Sequence, residues 1–345
     1  MGVKDMMVNG YETVVQTEDA ATGLQAIIAV HDTTLGPAVG GTRIYPYANK
    51  EDALNDVLRL SRGMTYKSAL AGINFGGGKS VIIADPSMKT PELLKAFGNF
   101  VNSLNGQYIC AEDMNSTTAD MEVIHEVTEH VAGLDSTGGD PSPITALGVF
   151  AAVKATAEKK LNIPLNELTV AVQGVGHVGA DLVEQLTNEG AKVYITDVNT
   201  ESLKEVAAKT GAEILSTDEI MTIKCDVFSP CAMGNILNEQ TIPYLNCKAI
   251  VGAANNQLGT MEDATSLMNK GILYAPDYLV NAGGIINVHF ERLPEGYNAK
   301  EAKKATWAIG DTLLEIYAMA EKDGTSPAVA ADKLAEERLA RRKSN

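Results

Sequence analysis

Cysteine is scarce: Cys110, Cys225, Cys231 and Cys247 are the four in 345 residues, and no two stand in a C-x-x-C pair. The spacing excludes a zinc knuckle and a dithiol redox pair, so reduced and mostly buried thiols are expected, and no metal site. Long apolar runs are missing too, since none approaches the ~20 residues of a membrane-spanning helix. The opening residues, Met1-Gly2-Val3-Lys4-Asp5-Met6, offer neither an apolar signal-peptide stretch nor the Ser or Thr that a myristoylation motif wants at the sixth position. A soluble, cytoplasmic protein is the expectation. Basic residues are few, 28 Lys and Arg against 44 Asp and Glu, and the formal net charge of −16 would repel nucleic-acid phosphates and anionic membrane surfaces. Nucleic acid and membrane are therefore set aside as partners. There is no internal repeat and no low-complexity tract.

What is present is length and alternation. At roughly 100 to 200 residues per domain, the chain has material for two. In the first part, Leu24–Val30 and the stretch into Gly40-Gly41-Thr42-Arg43 read as strands. Glu51 to Lys67 reads as an amphipathic helix feeding a glycine-rich loop, Gly72 to Lys79, and then a strand from Ser80 to Ala84 closed by Asp85-Pro86. A helix from Pro91 to Leu104, a strand Tyr108–Ala111 ending at Glu112-Asp113, and a helix start at Thr117-x-x-Asp120 follow. Gly133 to Pro143 has the composition of a linker.

The boundary is placed there, with a first domain over 1–137 and a second over 138–323. After a helix from Pro143 to Leu161, strands are expected at Leu168–Gln173, Ala191–Thr196, Ala212–Leu215, Asp226–Ser229, Lys248–Gly252 and Gly271–Tyr274, alternating with helices. That order predicts an α/β chain of two domains with a cleft between them: an N-terminal α/β domain, then a doubly wound parallel sheet of Rossmann type. Helical patterns over Ala299–Asp323 and Pro327–Arg341 finish the chain, and residues 324–345 are expected to pack back on the first domain.

A G-x-G-x-x-G pattern, Gly174-Val175-Gly176-His177-Val178-Gly179, lies directly after an apolar strand and opens a helix containing Leu182, Val183 and Leu186. In that context the glycines serve a tight turn, a close approach to a pyrophosphate and helix–strand packing, and the helix N-terminus supplies N–H donors. Asp197 ends the next strand, where a carboxylate accepts from ribose hydroxyls and repels a 2′-phosphate, so NAD is expected over NADP. His177 reads as a loop side chain within the cofactor motif rather than a catalyst. The other histidines, His31, His125, His130 and His289, stand in no setting of a catalytic base, and His125 and His130 are expected on a solvated helix face. This argues against a hydroxy-acid dehydrogenase, whose chemistry usually relies on a histidine.

Gly76-Gly77-Gly78-Lys79-Ser80 suggests a phosphate-binding P-loop, but the glycine needed six residues before the lysine is Ile73, and the loop leads into a strand rather than a helix. A second lysine, Lys67, precedes it. Two ammonium groups in one partly desolvated cleft would each lose proton affinity, and one could act as a base near neutral pH. Spacing alone leaves open that they are two surface lysines.

The residues Gly36-Pro37-Ala38-Val39-Gly40-Gly41-Thr42-Arg43, Gly63-Met64-Thr65-Tyr66-Lys67, Gly76-Gly77-Gly78-Lys79, Ala111-Glu112-Asp113, the Gly174–Gly179 pattern, Gly252-Ala253-Ala254-Asn255-Asn256-Gln257 and Asp277-Tyr278-Leu279-Val280-Asn281-Ala282-Gly283-Gly284 together resemble the glutamate/leucine/phenylalanine/valine dehydrogenase family, in its order and over nearly the whole chain. The resemblance implies that Lys67 holds the substrate carboxylate with backbone N–H groups near Gly40 and Gly41, that Lys79 is general base and acid, and that Asp113 pairs with Lys79 or with the substrate amino group. It also implies that Asn256 orients the substrate, that Asn255 and Asn281 attend the nicotinamide amide, and that Thr145 meets the nicotinamide. The chemistry implied is hydride transfer from the amino-acid Cα to NAD, then hydrolysis of the charged imine to ammonia and a 2-oxo acid, with cleft closure excluding water.

By the same likeness, Val39, Met64, Ala111, Ile285 and Val288 line the side-chain pocket. All are apolar, so a glutamate carboxylate there would cost several kcal/mol without a cation. Ile285 and Val288 resemble leucine-type members, whereas Met114-Asn115-Ser116 resembles aromatic-preferring ones. A branched-chain amino acid is the expected substrate, and phenylalanine or tryptophan the alternative. A non-catalytic dinucleotide sensor is the alternative from another class, against which stand Lys67, Lys79 and Asp113. A homo-oligomer, dimer or octamer, is implied.

Overall fold

The computed structural model describes residues 2–134 and 140–344. It divides into two compact units: one takes the chain ahead of Asp140 together with Val288–Tyr297 and the residues from Ala335 on, the other Asp140–Asn287 and Asn298–Leu334. The expected boundary at 137/138 lies outside the described residues.

The first unit is built on a mixed sheet of six strands in the order β1-β2-β3-β5-β4-β6. These are β1 (Gly2–Asp5), β2 (Thr13–Asp19), β3 (Leu24–Asp32), β4 (Ala38–Tyr45), β5 (Gly76–Ile83) and β6 (Tyr108–Glu112). The pairs β1–β2, β2–β3 and β3–β5 are antiparallel, while β4 pairs parallel with both β5 and β6. Helix α1 (Lys50–Ala71) covers one face. The other carries α2 (Pro91–Asn102) and α3 (Thr118–His125), whose Leu93, Phe97, Phe100, Met121 and Ile124 join Ile28, Ile44 and Ile82 in one apolar core. Burying each such side chain contributes roughly 1.5–3 kcal/mol, which offsets the entropy of fixing the strands.

Chain punctuation follows local chemistry. Asn49 caps α1 by accepting from the Asp52 N–H, and Gly72 ends it in the left-handed region at φ 68°. Thr117 and Asp120 form the expected capping box of α3. Two expectations are corrected. The glycine-rich segment ahead of Ser80 is not wholly a loop, because Gly76–Gly78 are the first residues of β5, paired with β3 and β4. His130 lies beyond α3, beside the Cys110–Val131 bridge, and not on a helix face. Strands β1 and β2 precede the first expected strand; β1 is exposed throughout, so no apolar alternation marks it.

The second unit is an all-parallel sheet in the order β12-β11-β10-β7-β8-β9. Its elements run α4 (Ser142–Ala155), β7 (Thr169–Gln173), α5 (His177–Asn188), β8 (Lys192–Thr196), α6 (Thr200–Thr210), β9 (Glu213–Ile214), β10 (Val227–Pro230), β11 (Ala249–Ile250), α7 (Met261–Asn269), β12 (Leu273–Tyr274) and α8 (Asp277–Val280). Helix α9 (Gly283–Glu291) follows, then α10 (Ala299–Asp323) and α11 (Pro327–Lys343). This is the doubly wound Rossmann arrangement. Its strand order reverses between β7 and β10, where ligands of such sheets bind beyond the strand ends.

Candidate active site

In the first unit the candidate residues come from the middle of β4 and β5 and from just beyond the end of β6. Gly77 lets α1 lie directly on β5, because a Cβ there would stand 2.0 Å from Thr65 Oγ1 and 2.5 Å from Ser61 O. Two residues on, Lys79 is 5% exposed, and its Nζ lies 2.8 Å from Asp113 Oδ1. Asp113 follows the end of β6 and folds over Gly41 of β4. A Cβ at Gly41 would meet Asp113 Cβ at 2.6 Å and Glu112 O at 2.5 Å, so only glycine leaves the carboxylate its place.

The turn after Asp113 is tied back to β4. Ser116 Oγ accepts from the Asp113 N–H at 2.8 Å and donates to Thr42 O at 2.7 Å. Asn115, left-handed at φ 63°, donates from Nδ2 to Ile44 O at 2.9 Å. Asn115 and Ser116 thus tie the Asp113 turn to the backbone of β4. Gly40 and Gly41 pair with Cys110 and Ala111 of β6, whereas the register with β5 passes from Val39–Gly77 to Thr42–Ser80. The β4–β5 pairing is interrupted at Gly40 and Gly41.

Asp113 has a second cation. Arg43 Nε donates to Asp113 Oδ2 at 2.9 Å, and Arg43 Nη1 donates to Asp56 Oδ2 at 2.8 Å. Asp56 also accepts from Tyr47 Oη at 2.6 Å and from Arg59 Nη2 at 2.9 Å. Burial pushes the Lys79 ammonium below the ordinary lysine range, against the opposing pull of Asp113. Burial alone would raise Asp113, but Lys79 and Arg43 hold its carboxyl down at about 2. The pair is an anion fixed between two cations, one of them buried and inclined to lose its proton. Sequence reasoning missed Arg43, Asp56 and Tyr47. Alternation offered one signal, since Arg43 lies two residues after Gly41 and shares its strand face.

Lys67 and Met64 lie half-buried on α1, Val39 is buried on β4, and Ala111 is half-buried on β6. Helix α9 carries Ile285 and Val288, three residues apart and both half-buried; Ile285 belongs to the second unit and Val288 to the first.

In the second unit the glycine pattern turns from β7 into α5. A Cβ on Gly179 would stand 2.0 Å from Gly174 O, so the helix sits against the turn, while the space around Gly176 is open. Gly176 is the N-cap of α5 with no side-chain cap, leaving backbone N–H groups directed outward. Asp197 Oδ2 accepts from the Val175 N–H at 2.7 Å. Val175 is buried, Val178 half-buried, and the His177 side chain exposed, with Nδ1 3.8 Å from Asp140 Oδ2.

Asn281 Nδ2 donates to Asn255 Oδ1 at 2.8 Å and to Ala253 O at 3.1 Å, while its own Oδ1 is buried without a partner. Asn256 is left-handed at φ 51°. Thr145 Oγ1 donates to Pro141 O at 3.0 Å and lies 3.3 Å from where a Cβ on Gly284 would stand. An open glycine cradle at a helix N-terminus, a carboxylate at the end of β8 and a buried amide oxygen lacking a donor fit a dinucleotide ending in a carboxamide.

Among the described residues no group of three or more His, Cys, Asp or Glu could hold a metal ion, and no helix is long and apolar enough to cross a membrane. The four cysteines are free thiols.

A buried lysine–aspartate pair on one unit and a dinucleotide-type sheet on the other define an α/β oxidoreductase. Sequence models of the family match over residues 7–130, described as Glu/Leu/Phe/Val dehydrogenase, dimerisation domain, and over 194–344, described as Glutamate/Leucine/Phenylalanine/Valine dehydrogenase. The chain belongs to this family and is an amino-acid dehydrogenase. It is 48% identical over 334 residues to leucine dehydrogenase of Thermoactinomyces intermedius, covering 95% of this chain and 91% of that one. It is 47% identical over 336 residues to L-tryptophan dehydrogenase of Nostoc punctiforme, covering 97% and 95%. The crystal structure of L-tryptophan dehydrogenase from Nostoc punctiforme superposes with a TM-score of 0.88 at 46% identity, over 97% of each chain.

Proposed function

We propose that the protein catalyses the reversible oxidative deamination of a branched-chain aliphatic L-amino acid, leucine with valine and isoleucine beside it, by NAD and water to the 2-oxo acid, ammonium, NADH and a proton. The observation that carries this reading is the buried Lys79, 2.8 Å from Asp113, on the strand beside the interrupted Gly40–Gly41 ladder. Bound NAD would supply the acceptor for the hydride of the substrate Cα. Lys67 and the N–H groups of Gly40 and Gly41 hold the substrate carboxylate and so aim that hydrogen. Lys79, its proton affinity lowered by burial, takes a proton from the water that attacks the imine carbon and returns it to the departing amine. Asp113 stays anionic throughout and balances the lysine when it is charged.

Gly174, Val175, Gly176, His177, Val178 and Gly179 form the pyrophosphate turn of this reading, and Asp197 the ribose contact that favours NAD over NADP. Asn255, Asn281 and Thr145 attend the carboxamide, and Asn256 the substrate. Val39, Met64, Ala111, Ile285 and Val288 receive the side chain. The first domain, 1–137, binds substrate and oligomerises, with 324–345 beside it, and 138–323 binds the cofactor; the protein acts as a cytoplasmic homo-oligomer. The similarity to a tryptophan dehydrogenase supports one second reading, an aromatic preference.

Initial rates of NADH formation with L-leucine, L-valine, L-phenylalanine, L-tryptophan and L-glutamate, each with NAD and with NADP, separate the readings. Leucine with NAD is expected to be fastest. Tryptophan or phenylalanine fastest establishes the second reading, faster turnover with NADP contradicts the role of Asp197, and no turnover with any amino acid contradicts both readings.

A further inference from the structure

We propose that Arg43 is a positioning residue for the deamination site: its guanidinium fixes one oxygen of Asp113 so that the other faces Lys79, and its charge, balanced by Asp56, tunes how readily Lys79 gives up its proton. The inference rests on Lys79 being the general base.

The geometry is a chain of alternating charge from strand to helix. Lys79 of β5 touches Asp113, Asp113 touches Arg43 of β4, and Arg43 touches Asp56 of α1, at 2.8, 2.9 and 2.8 Å. The two Asp113 oxygens are divided, Oδ1 to Lys79 and Oδ2 to Arg43, so the carboxylate cannot rotate without breaking a charge-assisted bond. The side chains of Arg43 and Asp56 are only 15% and 17% exposed, so water screens their field weakly.

The groups around Lys79 pull in opposite directions. Asp113 and, more distantly, Asp56 favour the charged ammonium, and Arg43 disfavours it. Tyr47 and Arg59 act one shell further out by holding Asp56. Tyr108 of β6 donates to Gly40 O at 2.6 Å, and Lys67 lies further along α1. Removing Arg43 therefore leaves Lys79 more firmly protonated, whereas neutralising Asp56 leaves it less so. A residue that merely braced the fold would give no such opposite signs.

The test is the dependence of kcat on pH for the amino acid that turns over fastest with NAD, in the wild type and in Arg43→Met, Arg43→Lys and Asp56→Asn. The acidic limb should move up by about half a pH unit or more in Arg43→Met and down in Asp56→Asn. Arg43→Lys, which keeps the charge but cannot reach both carboxylates as a planar fork, should hold the limb near its wild-type position while kcat falls about tenfold. A folded Arg43→Met or Asp56→Asn enzyme with the wild-type limb overturns the proposal; should Arg43→Met fail to fold, Asp56→Asn decides alone. Lys79→Ala measured alongside separates the two levels. If it turns over normally, the general-base reading falls and this inference with it. If it is inactive while the limbs stay fixed, Arg43 alone is misassigned.

Discussion

At Gly41 the absence of one carbon atom places a carboxylate. A Cβ there would overlap Asp113 Cβ at 2.6 Å, closer than relaxed non-bonded carbons approach. Gly41→Ala should therefore push Asp113 off Lys79, and a misplacement near 1 Å costs on the order of 100-fold in turnover. Steady-state kinetics check this, and wild-type kcat in a folded Gly41→Ala enzyme would contradict it. Lys79 and Asp113 stand out in the sequence because glycine and lysine clusters are conspicuous and match a family pattern, whereas Gly41 is read there for its N–H and not for the room it leaves Asp113. Arg43 and Asp56 do not stand out, because their partnership depends on how far a strand lies from a helix packed across it. Met114-Asn115-Ser116 reads in sequence as a hint of aromatic preference, yet Asn115 and Ser116 bond to β4 backbone, which ties them to holding Asp113.

Elements were easiest to read where burial is uniform. Five of the six strands of the parallel sheet are short, largely buried runs closed by Gly, Pro or Asp, the exposed β9 being the exception, and each falls where the pattern predicts. Segment Gly76–Gly78 reads as a loop because glycine usually punctuates chains; here it is strand, with side chains excluded by the Asp32 and Gly36 carbonyls at Gly76, by α1 at Gly77 and by the Tyr108 ring at Gly78. Helix α11 carries one element-scale device. Arg338 Nη1 donates to Ala69 O at 3.2 Å and Leu70 O at 2.7 Å, satisfying carbonyls at the C-terminal end of α1. Arg338→Met should lower stability by about 1–3 kcal/mol, read as an earlier urea midpoint. An unchanged midpoint would mean that water replaces the guanidinium at no cost.

For the molecule as a whole, the formal charge of −16 and the family motifs narrowed the function before any coordinates, but not to one substrate. One methylene in an apolar pocket is worth only ~1–3 kcal/mol, so composition and motif leave leucine and valine close in energy. The proposed division of labour between a lysine-bearing unit and a dinucleotide-type sheet is the sharper target, because each part can be disabled alone. The most direct measurement is Lys79→Ala, assayed for turnover with L-leucine and NAD and for NADH binding by fluorescence. Turnover should fall by at least about 100-fold while NADH binds as in the wild type; near-normal turnover would contradict the assignment of the Lys79–Asp113 pair as the deamination centre.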